Sequence, residues 1–240
     1  MTFKHALKQL AQHFGIEVRR FNAVESDTAR VVRQLHVHAI DLVIDVGAND
    51  GGYGQTLRSA GYAGPILSFE PLTEAHAALL RRTAGDRSWH VAPRAALGEH
   101  EGEATINIAG NRASSSLLAM GDLHLQAAPE SRYLGAESVP LRRLEQIEHP
   151  YLQQASSPFL KVDTQGYELP VLRGAGRLLG RVVGVQVELS LVPLYKEQET
   201  WDQIVAFLDA NGFALWNVLP GFVDPHSGRM LQFDGVFFRD

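Results

Sequence analysis

The stretch "VIDVGANDGGYG", residues 43–54, constrains the fold more than any other part of this sequence. A run of branched apolar residues meets an acid, then a glycine-rich turn, then a helical pattern. That order is the opening of a βαβ unit with a ligand at the turn, because ligands on such sheets sit outside the carboxyl ends of the strands. The rest of the chain repeats the rhythm. "DLVIDVG" (41–47), "GPILSFEP" (64–71), "WHVAPRAAL" (89–97), "PFLKVDTQG" (158–166) and "RVVGVQVELS" (181–190) read as strands, most of them without alternation and so buried on both faces. Helices are expected over about 52–60, 72–84, 167–180 and 200–212. "FALWNVLP" and "DGVFFRD" have only a loop between them, which predicts an antiparallel pair. "EATINIAG" (103–110) alternates and suggests an antiparallel insertion. The fold class is therefore α/β, a mostly parallel sheet with helices on both faces. Trp89, Trp201 and Trp216 lie on patterned elements and are expected in the core.

Residues 1–40 read as an N-terminal helical extension and 41–240 as the main domain. Within it, 99–140 is an insertion. Residues 111–135 carry small polar residues together with Leu117, Leu118, Met120, Leu123 and Leu125, which predicts a flap over the site or a short helix packed on the sheet. In a flap, Asn111 and Ser114–Ser116 would face the ligands.

Charge and composition narrow the function. The formal net charge of −5 argues against binding nucleic acid through a global positive field. The absence of Cys excludes disulfides, thiolate metal sites and a cysteine nucleophile, and no metal set is completed by the scattered His residues. "MTFKHALKQLAQHFG" is amphipathic without a continuous apolar core, unlike a secretory signal, and no run approaches the ~20 apolar residues of a membrane span. The expectation is a cytoplasmic protein.

The loop reads G-A-N-D-G-G, with Asn49 where a dinucleotide fingerprint has glycine. Gly47 suits a tight turn, and Gly51 and Gly52 would let backbone approach a ligand. Glu70, at the end of the next strand, is placed to accept hydrogen bonds from a ribose diol, or merely to cap the following helix. Asp45 and Asp50 beside a pyrophosphate would repel it; they suit S-adenosylmethionine, which carries an ammonium and a sulfonium and no phosphate.

Three stretches, "VIDVGANDGGYGQTL", "ILSFEP" and "FLKVDTQGYELPVLRGAGRLL", resemble the FkbM family of S-adenosylmethionine-dependent methyltransferases, with weaker support from "VQVELSLVPLY" and "FDGVFFRD". The resemblance spans about residues 40–240. Gln165 stands where the family often has Glu, so a role needing a carboxylate there is in doubt. The resemblance implies a Rossmann-like class I methyltransferase sheet of order 3-2-1-4-5-7-6 with the last strand antiparallel. It implies that Asp45, Gly47, Asn49, Gly51 and Glu70 hold the cofactor; the full expected set adds Ala48, Tyr53, Pro71, Ala96 and Asp163. It also implies O-methylation of a hydroxyl on a sugar, glycan or secondary metabolite.

Methyl transfer to a neutral hydroxyl benefits from a base. Asp163 ends one strand and Glu188 lies near the end of the next, and Lys161 shares a strand face with Asp163. These three are the candidate catalytic residues. The competing reading is a buried ion network bracing the strand ends, since a lysine in an apolar strand needs a partner. Two other functions stay open on the sequence alone: a nicotinamide-dependent oxidoreductase, and a non-catalytic adenosine-binding partner subunit. The acceptor, the oligomeric state and the choice between Asp163 and Glu188 are not fixed by these motifs.

Overall fold

The computed structural model describes residues 3–239. Ten strands form two sheets: β1 (Leu42–Val46), β2 (Ile66–Phe69), β3 (Trp89–Val91), β4 (Ala96–Leu97), β5 (Gly102–Ala109), β6 (Tyr133–Arg142), β7 (Pro158–Val162), β8 (Gly184–Ser190), β9 (Phe213–Pro220) and β10 (Gln232–Arg239). The main sheet has the order β3-β2-β1-β7-β8-β10-β9. Counted in chain order within that sheet, this is 3-2-1-4-5-7-6. Strands β3, β2, β1, β7 and β8 pair in parallel, and β10 is antiparallel to both of its neighbours.

Every residue of β1, β2 and β7 is buried, as helices cover both faces of the sheet. Alternate residues feed two cores. Leu42, Ile44, Val46, Leu160 and Val162 pack on one side, with the helices Glu168–Gly174, Gly176–Leu179 and Trp201–Ala210. Val43, Ile66 and Phe159 pack on the other, against Val31, Val32 and Leu35 of the helix Asp27–Val37 and Leu57 of the helix Gly52–Ser59. The Asp27–Val37 helix is thus part of the domain's packing. The helix Phe3–His13 instead leaves Leu7 and Leu10 exposed.

The expected insertion is a second, three-stranded sheet, β4-β6-β5. "WHVAPRAAL" is not one strand: its halves belong to different sheets. Strand β6 replaces part of the expected irregular segment; Gly135 and Pro140 disguised it, because both are poor strand residues. Between β5 and β6 runs a short helix, Asp122–Ala127. Leu118, Leu123 and Leu125 pack with Leu194, Tyr195 and Leu231, so this segment rests on the end of the main sheet. Of the three tryptophans only Trp89 is core; Trp201 and Trp216 are 40% and 45% exposed, because each sits on the outer side of its element.

Trp89 explains one glycine. A Cβ on Gly54 would lie 2.2 Å from the Trp89 ring. Gly→Ala inside a helix ordinarily stabilises by about 1 kcal/mol. Here Gly54→Ala is expected to destabilise by about 1–3 kcal/mol, the range for overpacking, seen as a lower urea midpoint at unchanged m value.

Candidate active site

The sheet's strand order reverses about β1, whose neighbours are β2 and β7. A cavity of about 320 Å³ opens at the carboxyl ends of these strands. Of the residues singled out from sequence, Gly47, Asn49, Glu70, Pro71, Ala96, Asp163 and Glu188 line it. Asp45, Ala48, Gly51, Tyr53 and Lys161 are not among the lining residues. Asn111 and Ser114 are spent on each other and on Ser131, and Ser116 on the Gln165 carbonyl; of the expected polar face only Ser115 borders the cavity, with Arg112, Ala113 and Leu117.

The first loop alternates left-handed residues: φ is +74° at Gly47, +49° at Asn49 and +91° at Gly51. Asn is among the side chains that tolerate this region best, so Asn49 takes a position where glycine is usual. The glycines serve packing as much as any ligand. A Cβ on Gly47 would lie 1.8 Å from the Asp163 carbonyl oxygen, and one on Gly51 would lie 2.8 Å from Leu79 Cδ1. Four of the loop's N–H groups are also occupied. Gly47 and Ala48 donate to the Phe69 carbonyl, Asn49 donates to Glu70 Oε2 at 2.8 Å, and Gly51 donates to the Ala48 carbonyl. A pyrophosphate cradle needs such groups free.

The expected charge argument needs correction. Asp50 pairs with Arg82, and Asp45, fully buried, accepts from Ser68 Oγ at 3.2 Å and lies 3.4 Å from Lys161 Nζ. Neither carboxylate faces the cavity, since each is held by a cation elsewhere. The acids that line it are Glu70, Asp163 and Glu188. Glu70 is 5% exposed and accepts from the Asn49 and Leu72 N–H groups, one on each oxygen. Burial pushes its carboxyl up to about 7 against those two donors.

Lys161 lies between Asp45 and Asp163, 3.4 Å from each. Burial works against its charge, but Asp163, Asp45 and Asp234 outweigh burial and raise it above the ordinary lysine range. Tyr53 lies behind this group, its ring 5.3 Å from Lys161 Nζ and its hydroxyl donating to Gln186. Lys161 therefore braces the strand ends and holds Asp163 from behind.

Gln165 is the site residue that sequence reasoning set aside. Its Nε2 donates to Asp163 Oδ1 and to Glu188 Oε2, both at 2.9 Å, and its Oε1 accepts from the Tyr195 hydroxyl at 2.7 Å. Gln232 Nε2 also donates to Glu188 Oε2, at 2.7 Å. Burial, then the nearby Asp163, Glu168 and Asp234 carboxylates, push Glu188 well above the usual carboxylate range. Glu168, the first residue of its helix, is buried and accepts from the Thr164 and Gly166 N–H groups, which ties the loop 163–168 together.

With this geometry in place, the family is decided by a match to the FkbM methyltransferase domain over residues 45–215. The chain belongs to the FkbM methyltransferase family. The family uses S-adenosylmethionine, and the nicotinamide-dependent reading falls away. A comparison with curated proteins gives no match. Among solved structures, the FkbM chain is similar to magnesium protoporphyrin IX methyltransferase (ChlM) from Synechocystis PCC 6803 with bound SAM, at 10% identity and a TM-score of 0.49, covering 89% of this chain and 78% of that one. It is also similar to TehB from Haemophilus influenzae, at 9% identity and a TM-score of 0.48, covering 88% and 62%.

The residues present fit S-adenosylmethionine. Glu70 keeps lone pairs for hydroxyl donors in the cavity, the loop reserves none of the N–H groups named above for a phosphate, and the lining cation Arg112 is paired with Glu74. Glu70 also carries a pH signature. Its folded carboxyl titrates near 7 and its unfolded one near 4.5, so the folded state holds the extra proton between those values. Its contribution is therefore fully present below about pH 4.5 and is lost as pH rises through 7. Glu70→Gln should reduce the fall of stability with pH in this window by up to about 1.4 kcal/mol per pH unit, measured by urea unfolding from pH 5 to 8. An unchanged slope would show Glu70 ionised in the folded protein.

Proposed function

We propose that this FkbM-family enzyme O-methylates a hydroxyl of an uncharged, hydroxyl-rich acceptor: a sugar, a glycan or a secondary metabolite. The observation that carries this reading is the placement of Asp163 and Glu188 in one cavity with the first loop and Glu70. In this reading Gly47, Asn49, Glu70, Pro71 and Ala96 hold the cofactor, with Glu70 accepting from the ribose hydroxyls. S-adenosylmethionine supplies an electrophilic methyl carbon when bound.

The chain's own task is to align an acceptor oxygen and take its proton. Asp163 is tied to Lys161 and to Gln165, which fixes the direction of its carboxylate. Glu188 receives both its donors on Oε2; among the described residues its Oε1 has no hydrogen-bond partner. In this reading Glu188 Oε1, in its ionised form, takes the acceptor's hydroxyl proton. The cavity is lined by three acidic side chains, and its lining cation, Arg112, is already paired with Glu74, which disfavours a phosphate-bearing acceptor such as RNA. Residues 111–132 cover the acceptor side, and their opening would admit it.

S-adenosylhomocysteine should raise the melting temperature, and NAD should not. Glu70→Ala should weaken S-adenosylhomocysteine binding by about 1–3 kcal/mol in calorimetry. With labelled S-adenosylmethionine and a panel of neutral saccharides and polyols, Glu188→Gln should lose about 10²–10⁴-fold in turnover with cofactor affinity retained. Label entering tRNA and none of the saccharides would overturn the acceptor class.

A further inference from the structure

We propose that Gln165 is a positioning residue: its side-chain amide, oriented by Tyr195, aims the Asp163 and Glu188 carboxylates at the acceptor. This rests on the catalytic reading of those two carboxylates. Gln165 has φ +54°, a region that residues other than glycine seldom occupy. Such strain persists only where the surroundings over-determine it. Here they do. The Ser116 hydroxyl donates to the Gln165 carbonyl at 2.7 Å. The next residue, Gly166, has φ +98°, and a Cβ there would lie 2.9 Å from the Tyr195 ring.

What the strained backbone achieves is the direction of one amide. Amide oxygen and nitrogen are alike in shape, so neighbours must choose between them. Tyr195 donates to Oε1, which turns the two N–H groups toward Asp163 and Glu188. One amide thereby supplies a donor to each carboxylate and separates two like charges. A glutamate at the same place would offer no donor and add a third charge. The charged groups acting on Glu188 are Asp163, Glu168 and Asp234, which disfavour its ionisation, and Lys161, which favours it; the Tyr195 hydroxyl also faces this group. Against that acidic surround, the Gln165 N–H favours the charged form that can accept a proton.

The test is a pH titration of the Glu188 side-chain carboxyl by carbon-13 NMR in the S-adenosylhomocysteine-bound protein, with Glu188→Gln assigning the resonance. Gln165→Met keeps the length and removes both donors. It should raise the Glu188 midpoint by about one to two pH units, the equivalent of one lost hydrogen bond to a charged group. Tyr195→Phe frees the amide to turn and should shift the midpoint the same way by less. Gln165→Glu should shift it further, with S-adenosylhomocysteine affinity within about threefold of wild type in each case. An unmoved midpoint in Gln165→Met overturns the proposal. If that variant fails to bind S-adenosylhomocysteine, Tyr195→Phe decides it: a raised midpoint supports the proposal and an unmoved one overturns it. Methyl transfer by Asp163→Asn and Glu188→Gln separates the two levels. Wild-type transfer in both would sink the carboxylate reading itself, whereas inactive Glu188→Gln with an unmoved midpoint in Gln165→Met sinks only the role of Gln165.

Discussion

A single lysine in the middle of a parallel sheet organises this molecule. Strand register sets Asp45 beside both Ser68 and Lys161, and Lys161 beside Gln186. The Trp89 indole donates to Ser68 at one end, and Gln186 donates to Asp234 at the other. A polar line thus crosses the sheet on one face, roofed by Tyr53 of the following helix. Ions in such a place are costly unless paired and hydrogen-bonded. Lys161 meets that demand with one carboxylate inside the sheet and one at the cavity. The buried half gives the arrangement rigidity, and the outer half passes that rigidity to Asp163.

The opposite wall of the cavity is held by neutral groups. Ser116, Tyr195, Gln165 and Gln232 form a chain of hydrogen bonds that reaches Glu188. The two candidate catalytic acids are therefore supported differently, Asp163 by a cation and one amide and Glu188 by two amides. Pairs of carboxylates in unlike surroundings take unlike protonation roles.

The sheet was legible because its evidence is local: long branched apolar runs, helix stop signals and a final pair of strands joined by a loop alone. Strand β6 was not, since only Val139 and Leu141 on it are buried and Pro140 sits between them. In the cavity, Gly47, Asn49, Glu70, Asp163 and Glu188 were readable because they end strands or follow them. Spacing did not tell which acids point outward. Asp45 and Asp163 lie at the carboxyl ends of adjacent strands, yet one is fully buried and the other faces the cavity. The role of Gln165 was hidden too, because it depends on Tyr195 and Glu188, which are distant in the chain and are brought near only by the fold.

The bond from Ser116 to the Gln165 carbonyl also bears on how such an enzyme can change its acceptor. The insertion between β5 and β6 borders the cavity, which invites the view that it is an interchangeable cassette. It is not independent, since Ser116 clamps the backbone of the loop that carries Asp163 and Gln165. A graft of a foreign insertion has to bring a hydroxyl to that one carbonyl, or it trades acceptor range against the alignment of the acids. Divergence of specificity on this scaffold is then channelled toward the rim, at positions such as Arg112, Ala113, Ser115 and Leu117, which border the cavity without holding the loop.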